Sequence, residues 1–152
     1  FRESVQDNNA SGGICMEVRL VYLAGAIYEM DDTCVRWRKA ANTILRKKGI
    51  MSIKPTDADY RGQESIAGIP KQIVERDKRD IVSCDTILAK CDHPSWGTAM
   101  EIMFAWSLHK QIIVVTSSMS PWIRYHADYV FPTLDEALKA MEYPEFDPGV
   151  TQ

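Results

Sequence analysis

The sequence lacks the features by which several protein classes are recognised. Its 152 residues carry a formal net charge of −3, so it has no basic surplus of the kind that binds a nucleic-acid backbone. No apolar run approaches the roughly 20 residues that a membrane span requires. Binding to a nucleic-acid polymer and insertion into a membrane are therefore not expected.

Cysteine is scarce and carries no metal-binding pattern. The chain has four cysteines, Cys15, Cys34, Cys84 and Cys91. They form no Cys-x-x-Cys pair and have no histidine partners at the spacing of a zinc site. We expect them to be buried free thiols. Together with the lack of an apolar signal segment, this favours a reducing compartment, most simply the cytoplasm.

Two common nucleotide-binding motifs are also missing. A dinucleotide fingerprint needs Gly-x-Gly-x-x-Gly after the first strand, but residues 23–28 contain one glycine, Gly25. No Gly-x-x-x-x-Gly-Lys-[Ser/Thr] pattern occurs anywhere, which argues against a nucleoside triphosphatase. A nicotinamide cofactor is thus disfavoured.

The chain does have a regular alternation of strand-like and helix-like segments. Strand patterns lie at 18–23, 49–53, 86–89, 111–116 and 128–131, and helix patterns at 33–48, 70–83, 98–109 and 134–141. Strands alternating with helices at this spacing predict a parallel sheet that is covered on both faces. The expected fold class is α/β, a flavodoxin-like or Rossmann-like three-layer sandwich with a mostly parallel five-stranded sheet.

The length predicts one folded domain. A chain of 152 residues with 45% hydrophobic content can bury a core without a second domain. We expect the domain to span residues 17–143, with a flexible leader or cloning remnant at 1–16 and a C-terminal tail at 144–152. Residues 8–13, Asn-Asn-Ala-Ser-Gly-Gly, are typical of a flexible linker.

One loop of the predicted sheet stands out, from Pro94 to Glu101. In open sheets of this kind, ligands bind beyond the carboxyl ends of the strands, so the loops after residues 23, 53, 89 and 116 should line one crevice. The helix pattern places Glu101 in the first turn of helix 98–109. A helix N-terminus offers free N–H groups to an anion, so this turn points to phosphate beside a carboxylate. The alternative is a carboxylate that merely complements the helix dipole.

Three short motifs lie at the predicted strand ends. They are Tyr22-Leu23-Ala24-Gly25, then Arg76-Asp77 eight residues before Cys84-Asp85, then Ser95-x-Gly97-x-x-x-Glu101. In this order they resemble the nucleoside 2-deoxyribosyltransferase superfamily, over residues 20–116. The resemblance implies an enzyme that acts on a nucleoside or nucleotide, needs no metal or organic cofactor, and assembles as a homodimer or higher homo-oligomer.

The resemblance also implies roles for three side chains. Glu101 corresponds to the nucleophile that attacks the anomeric carbon and forms a covalent glycosyl-enzyme. Asp77 corresponds to an aspartate that orients the sugar or handles the proton of the departing base; its alternative is a solvated helix charge. Tyr22 corresponds to a tyrosine that hydrogen-bonds the nucleophile; its alternative is a half-buried strand aromatic. Asp85 is expected to be structural, holding the turn before its strand.

Position 95 favours one branch of the superfamily. Transferases of free nucleosides carry aspartate there, whereas this chain has Ser95. An aspartate would repel a 5′-phosphate by about 4 kcal/mol across roughly 4 Å at an effective dielectric near 20. A serine hydroxyl can instead donate to the phosphate, with N–H groups near Gly97 and Thr98 adding more. The same arrangement occurs in the branch resembling 2′-deoxynucleoside 5′-phosphate N-hydrolases.

The sequence therefore predicts a hydrolase that cleaves the N-glycosidic bond of a (deoxy)nucleoside 5′-monophosphate. One alternative is a transferase that exchanges bases between nucleosides. The other is a non-catalytic nucleotide-binding sensor module, which would keep the phosphate-binding turn and have no use for a reactive carboxylate.

Further substrate-binding candidates lie in two flanking loops. The loop after the first strand contributes Gly25, Ala26 and Ile27, and the segment after the fourth strand contributes Ser117, Ser118 and Arg124 as phosphate candidates. The remainder of the first loop is acidic, so it offers no second phosphate contact. At most, it supplies Tyr28, Glu29 or Asp31 for base or ribose recognition.

Three other features receive structural interpretations. His126 is expected to belong to a surface loop whose aromatic residues anchor it to the core or to a dimer face. Trp37 and Arg38 are expected to be packing plus a solvated charge. The polar segment 55–68 is either a lid over the crevice or an idle loop.

Overall fold

The computed structural model describes residues 15–27, 31–118 and 120–144. Two candidates for base or ribose recognition, Tyr28 and Glu29, lie outside these ranges, as do most of the expected leader and tail. The elements are β1 (Met16–Glu17), β2 (Leu20–Gly25), α1 (Thr33–Lys47), β3 (Met51–Ile53), a short 3-10 helix (Pro55–Asp57), α2 (Ile69–Ser83), β4 (Thr86–Lys90), α3 (Trp96–Ser107), β5 (Gln111–Val115), α4 (Pro121–His126), β6 (Tyr129–Phe131), α5 (Leu134–Ala140) and β7 (Met141–Glu142).

The main sheet confirms the predicted architecture. Its five strands run in the order β3-β2-β4-β5-β6, and every neighbouring pair is parallel. This is the flavodoxin-like order, in which the chain reverses its direction of travel between β2 and β4. The loops that follow these two strands therefore diverge and open a crevice at the carboxyl end of the sheet.

The core lies on both faces of this sheet, because alternate residues of each strand point in opposite directions. On one face Leu23 packs with Leu45 of α1 and Leu138 of α5. On the other, Tyr22 packs with Ile81 of α2, and the same cluster includes Ile102 of α3. The central strands are thus apolar on both sides, which explains their unbroken runs of Val, Ile, Leu and Ala.

Helix boundaries follow local chemistry. Helix α1 ends where Gly49 adopts a φ of 81°, in the left-handed region that favours glycine. Helix α5 begins after Thr133, whose side chain accepts a hydrogen bond from the Glu136 N–H. Helix α3 begins at Trp96 with Ser95 as its N-cap. Glu101 therefore lies in the second turn, not the first, and the explanation that it complements the helix dipole loses its basis.

Two parts of the fold differ from the sequence-based expectation. Residues 121–126, predicted as a loop, form α4, with Pro121 in its first turn. A separate pair of two-residue strands joins β1 to β7, with Met16 opposite Met141. Met16 is buried, so this residue, assigned to the leader, belongs to the fold. Neither element is long enough to show a periodicity.

The cysteines are all free thiols, but their environments differ. Cys34 and Cys84 are buried and Cys91 is half-buried, whereas Cys15 is exposed. The prediction of buried thiols is therefore wrong for Cys15, which stands just before the short β1. None of the helices in the described part of the chain is long and apolar enough to cross a membrane.

Asp85 fastens the start of β4 to the start of β2. Its Oδ2 accepts hydrogen bonds from the Arg19 N–H at 3.0 Å and the Leu20 N–H at 2.9 Å. Its Oδ1 accepts from the Thr86 hydroxyl at 2.7 Å. The expected structural role of Asp85 is thus confirmed, and its reach extends to a neighbouring strand.

Replacing Asp85 by alanine should destabilise the domain by about 3 kcal/mol, because two backbone N–H groups would lose a charged acceptor. Asp85→Asn should lose less than half of that, since its amide oxygen can still accept from both N–H groups. Urea unfolding measures the difference. Equal loss in the two variants would show that these hydrogen bonds do not hold the strands together.

Candidate active site

A crevice of about 330 Å³ lies at the carboxyl end of β2 and β3, between α2 and α3. The loop after β2 supplies Gly25 and Ile27, the segment after β3 supplies residues within 55–64, α2 supplies Asp77 and α3 supplies Glu101. The loops after β2, β3 and β4 thus meet, as the topology predicted, whereas the loop after β5 lines a different cavity.

Glu101 is the carboxylate at the centre of this crevice. It is half-buried, and its Oε1 accepts a hydrogen bond from the Tyr22 hydroxyl at 2.7 Å. The pKa of Glu101 is raised to about 7, first by burial and then by the charge of Asp77. The Tyr22 hydrogen bond and the positive charges of Arg38 and Arg76 oppose this rise. The group therefore changes its charge near neutral pH.

Tyr22 is fully buried, not half-buried as the bland interpretation of a strand aromatic required. It lies in β2, on the face of the sheet that packs against α2 and α3. Burial, followed by the charges of Glu101 and Asp77, raises the pKa of its phenol well above the ordinary value. Tyr22 therefore keeps its proton and serves as a hydrogen-bond donor.

Asp77 lies on α2 and faces the same crevice. Its side chain is 16% exposed, so the alternative that it is a solvated helix charge is wrong. Arg76 donates to Asp77 Oδ1 from Nε at 3.1 Å and from Nη2 at 2.8 Å. Burial raises the pKa of the Asp77 carboxyl, and the hydrogen bonds and charge of Arg76 oppose the rise.

Arg38 does not line the crevice, but its positive charge acts on Glu101, and this role was not predicted from the sequence. The side chain is fully buried, so the expectation of a solvated charge is wrong. Its guanidinium donates to the carbonyls of Leu23 at 2.9 Å, Cys34 at 2.7 Å and Gly25 at 2.8 Å. Arg38 follows buried Cys34 by four residues, a spacing that places both on the core face of α1. That periodicity was the available signal.

Gly25 is required by the packing at the end of β2. A Cβ at this position would lie 3.1 Å from the Trp37 ring and 3.2 Å from the Lys90 carbonyl oxygen. Both distances are shorter than comfortable van der Waals contact. Glycine thus lets β2 approach α1 and β4 closely at the mouth of the crevice.

Ser95 caps a helix as well as lining the crevice, and the capping role was not predicted from the sequence. Its Oγ accepts from the Thr98 N–H at 3.3 Å, which caps α3. Because the oxygen accepts this bond, the hydroxyl proton stays available to a ligand in the crevice, which Ser95, Gly97 and Thr98 all line. The Thr98 N–H is already used by the cap, so it is a weaker candidate for phosphate than the sequence suggested.

A second cavity, of about 550 Å³, lies beyond Ser95 and Thr98, which line both spaces. Ser118 lines it across from Ser95, and Ser120 and Thr116 add hydroxyl groups. The described residues that line it include no lysine or arginine, and one of them, Asp92, is acidic and forms an ion pair with Lys90. An anion here would therefore be bound by hydroxyl and N–H groups.

The remaining candidates lie elsewhere. Ser117 and Arg124 do not line either cavity, although Arg124 Nε donates to the Ser118 carbonyl at 3.2 Å. Ala26 and Asp31 line a different cleft, of about 140 Å³. His126 is buried in α4, where Nδ1 lies 2.7 Å from the Trp122 carbonyl oxygen. Its expected packing role fits this position, in a helix rather than a loop.

The segment 55–68 forms one wall of the crevice, so it is not an idle loop. Arg61, which the sequence did not single out, lines the crevice from this segment. It bonds Asp59 within the segment at 2.7 Å and Asp32, which precedes α1, at 3.0 Å. Arg61 and its two partners lie in polar or acidic stretches of the sequence, and the fold decides which of them pair. No local sequence pattern could therefore have revealed these ion pairs.

Solved structures with a fold similar to this one include the following three. The 2-deoxyribosyltransferase of Bacillus psychrosaccharolyticus has a TM-score of 0.65 at 15% identity, over 84% of this chain and 99% of its own. A conserved protein from Enterococcus faecalis has 0.62 at 17%, over 81% and 96%. The CMP N-glycosidase of Clostridium botulinum has 0.57 at 22%, over 80% and 95%. At these identities the likeness shows the fold.

The family assignment comes from the sequence itself. A comparison with curated protein sequences finds no match. The model of the nucleoside 2-deoxyribosyltransferase family, in contrast, matches residues 21–147. That range includes the three side chains that meet in the crevice, Tyr22, Asp77 and Glu101. The chain therefore belongs to the nucleoside 2-deoxyribosyltransferase family and is an enzyme.

Proposed function

We propose that this enzyme hydrolyses the N-glycosidic bond of a (deoxy)nucleoside 5′-monophosphate, with Glu101 as the nucleophile. The observation that carries the proposal is the 2.7 Å hydrogen bond from the buried Tyr22 hydroxyl to Glu101 Oε1. This bond orients the carboxylate toward the crevice. No hydrogen bond from a described residue reaches Oε2, which is free to approach a sugar.

The reaction has two displacements at the anomeric carbon. In the first, a Glu101 oxygen bonds to C1′ while the C1′–N bond breaks, and the base leaves with the bonding electrons and takes a proton from solvent water or from Asp77. In the second, water bonds to C1′, loses a proton and releases Glu101 together with the sugar phosphate. The oxocarbenium-like transition state carries positive charge beside the carboxylate, which stabilises it.

Asp77 supports the same reaction from the opposite wall. Its carboxylate lines the crevice with Glu101, so it can orient a sugar hydroxyl or handle the proton of the departing base. Tyr22 lies between the two acids, and the charge of each raises its pKa. The three groups form one compact site, and Ser95 stands at its far end.

The phosphate end of the substrate is assigned to Ser95 and the space beyond it. The Ser95 hydroxyl faces the Glu101 crevice, and the second cavity continues past it to Ser118. A substrate with its C1′ at Glu101 can thus extend its 5′ end toward these hydroxyl groups. The CMP N-glycosidase that shares the fold is named for a nucleoside monophosphate, which supports this choice.

Base exchange between nucleosides is the second candidate, because a 2-deoxyribosyltransferase also shares the fold. The two reactions differ only in whether water or another base attacks the glycosyl-enzyme. The family assignment favours either of them over a non-catalytic sensor. Incubation with each monophosphate or nucleoside, with and without a second base, separates them by chromatography of the products.

The expected homo-oligomer stays a prediction. Helix α3 is apolar on most of its faces, yet Trp96, Met100 and Met103 are exposed to solvent in the single chain. An apolar helix face of this kind is usually covered by another surface.

Glu101→Gln should lower base release by about 10³-fold or more, as the loss of other catalytic nucleophiles does. It should also stabilise the fold. The raised pKa means that the folded protein holds the Glu101 proton more tightly than the unfolded chain, so this stabilising contribution is lost as pH rises from 4.5 to about 7. At pH 8 the variant should therefore gain roughly 3 kcal/mol over wild type, since one pKa unit is about 1.4 kcal/mol.

Thermal or urea unfolding at pH 8 and pH 5 measures this gain, which should fall to about 1 kcal/mol at pH 5, close to the ordinary pKa of a glutamate. Glu75→Gln, on the exposed surface of α2, is the matched control. Wild-type rates of base release in Glu101→Gln would rule out the nucleophile. A stability gain that is equal at both pH values would contradict the burial argument.

The pH dependence of kcat/KM should show the same ionisation. The nucleophile must be a carboxylate, so kcat/KM should rise with pH and level off above about 7. Tyr22→Phe removes a hydrogen bond that lowers the pKa of Glu101, so its rise should lie at higher pH by roughly one unit. A profile that is flat from pH 5 to 8, or unmoved in Tyr22→Phe, would contradict this account.

Ser95→Asp should reverse the preference for a phosphate. Aspartate also caps helices well, so the variant should fold. Repulsion of about 4 kcal/mol at 4 Å should reduce the ratio of kcat/KM for the monophosphate to that for the nucleoside by about 10²- to 10³-fold. Ser95→Thr keeps both the cap and the hydroxyl and should leave the ratio nearly unchanged. An unchanged ratio in Ser95→Asp would place the phosphate elsewhere.

A further inference from the structure

Arg76 contacts the crevice wall as well as its neighbour Asp77. Besides its two hydrogen bonds to Asp77, it donates from Nη2 to the Pro55 carbonyl at 3.1 Å and from Nη1 to the Ala58 carbonyl at 3.4 Å. Its guanidinium also lies 5.3 Å from the centre of the Tyr60 ring. One side chain therefore contacts a catalytic candidate and the segment that follows β3.

The segment that Arg76 holds is the part of the crevice wall nearest to α2. Pro55, Ala58 and Tyr60 all line the crevice. Its far end is held separately, by Arg61 on Asp59 and Asp32. The wall is thus fastened at two points, and the Arg76 attachment alone reaches Asp77.

We propose that Arg76 is a positioning residue that holds the Asp77 carboxylate as a hydrogen-bond acceptor and fixes the wall formed by residues 55–61. The role assigned to Asp77 rests on the proposed function of the site. The guanidinium is suited to both tasks because its planar fork carries five N–H donors, enough for two carbonyls and a carboxylate at once.

The geometry narrows the two roles left open for Asp77. Two N–H groups of a permanent cation meet on Oδ1, and such charge-assisted bonds favour the ionised carboxylate. An ionised Asp77 accepts hydrogen bonds through Oδ2. Although burial raises the pKa of Asp77, the contact with Arg76 opposes that rise. It therefore favours the role in which Asp77 orients a substrate hydroxyl or N–H group over the role in which Asp77 supplies the proton of the departing base.

The other charged and titratable groups around Asp77 do not replace Arg76. They are Asp80 on α2, Tyr22 of β2, Glu101 of α3 and Arg38 of α1, and Tyr60 of the wall lies against Arg76 itself. Asp80 and Glu101 are acidic, and Arg38 is committed to three backbone carbonyls. Arg76 is thus the cation in direct contact with Asp77.

Three variants separate the two tasks. Arg76→Gln removes both the charge and the fork. Arg76→Lys keeps a charge beside Asp77 but cannot hold the carboxylate and two carbonyls together. Arg61→Gln releases the far end of the same wall without touching Asp77, which makes it the matched control. Circular dichroism confirms that each variant is folded.

Two measurements on the substrate-free protein give the answer. In Arg76→Gln, the side-chain carboxyl carbon of Asp77 should titrate at a pH higher by roughly one unit than in wild type, because an opposite charge in contact is lost. Hydrogen exchange of residues 54–63, followed by mass spectrometry, should become about tenfold faster, since two hydrogen bonds to the wall are lost. Arg76→Lys should restore the titration but not the slow exchange.

Base release adds a third measurement. The rise of kcat/KM with pH, which follows the ionisation of Glu101, should move to higher pH in Arg76→Gln, because the positive charge of Arg76 lowers the pKa of Glu101. It should stay in place in Arg61→Gln. An unshifted Asp77 titration in Arg76→Gln, or the same shift in Arg61→Gln, overturns the assignment. If wild type releases no base from any substrate, the proposed function fails, while titration and exchange still decide whether Arg76 holds Asp77 and the wall.

Discussion

Burial of the Glu101 carboxylate is the constraint on which the site depends. A carboxylate inside a protein is driven toward its neutral form, whereas a nucleophile must carry its charge. The surroundings offset this conflict with a hydrogen bond from Tyr22 and with the positive charges of Arg38 and Arg76. The pKa of Glu101 therefore lies near neutral pH. A carboxylate with this pKa is reactive, and little free energy is needed to desolvate it at the moment of reaction.

Arg38 and Arg76 lie at different places in the site and join different elements of the fold. Arg38 is buried beneath the site, where three backbone carbonyls hold it and it joins α1 to the end of β2. Arg76 lies at the edge, where it joins α2 to the wall that follows β3. The two arginines thus place positive charge beneath and beside the acids of the site. The same two side chains also hold the walls of the site together.

Much of the fold could be predicted from the sequence, because the central strands are buried on both faces and appear as unbroken apolar runs. The helix boundaries moved by two residues or fewer, but one such shift placed Glu101 in the second turn of α3. Elements that were missed, α4 and the β1–β7 pair, are too short for periodicity to register. Their existence depends on contacts between distant parts of the chain.

The candidate site was predicted less completely. Tyr22, Asp77 and Glu101 followed from short motifs and meet in one crevice. Arg38 and Arg61 were missed, because an arginine on a helix or in a polar loop looks like a solvated charge until its partners are known.

The alternation of strands and helices, and with it the edge of the sheet where the candidate site lies, could be derived from the sequence, since apolar periodicity and chain direction are local properties. Which charges face each other depends on the tertiary structure. Coulombic and hydrogen-bond partners are chosen by distance in space, and the groups that tune Glu101 come from separate elements, β2, α1 and α2.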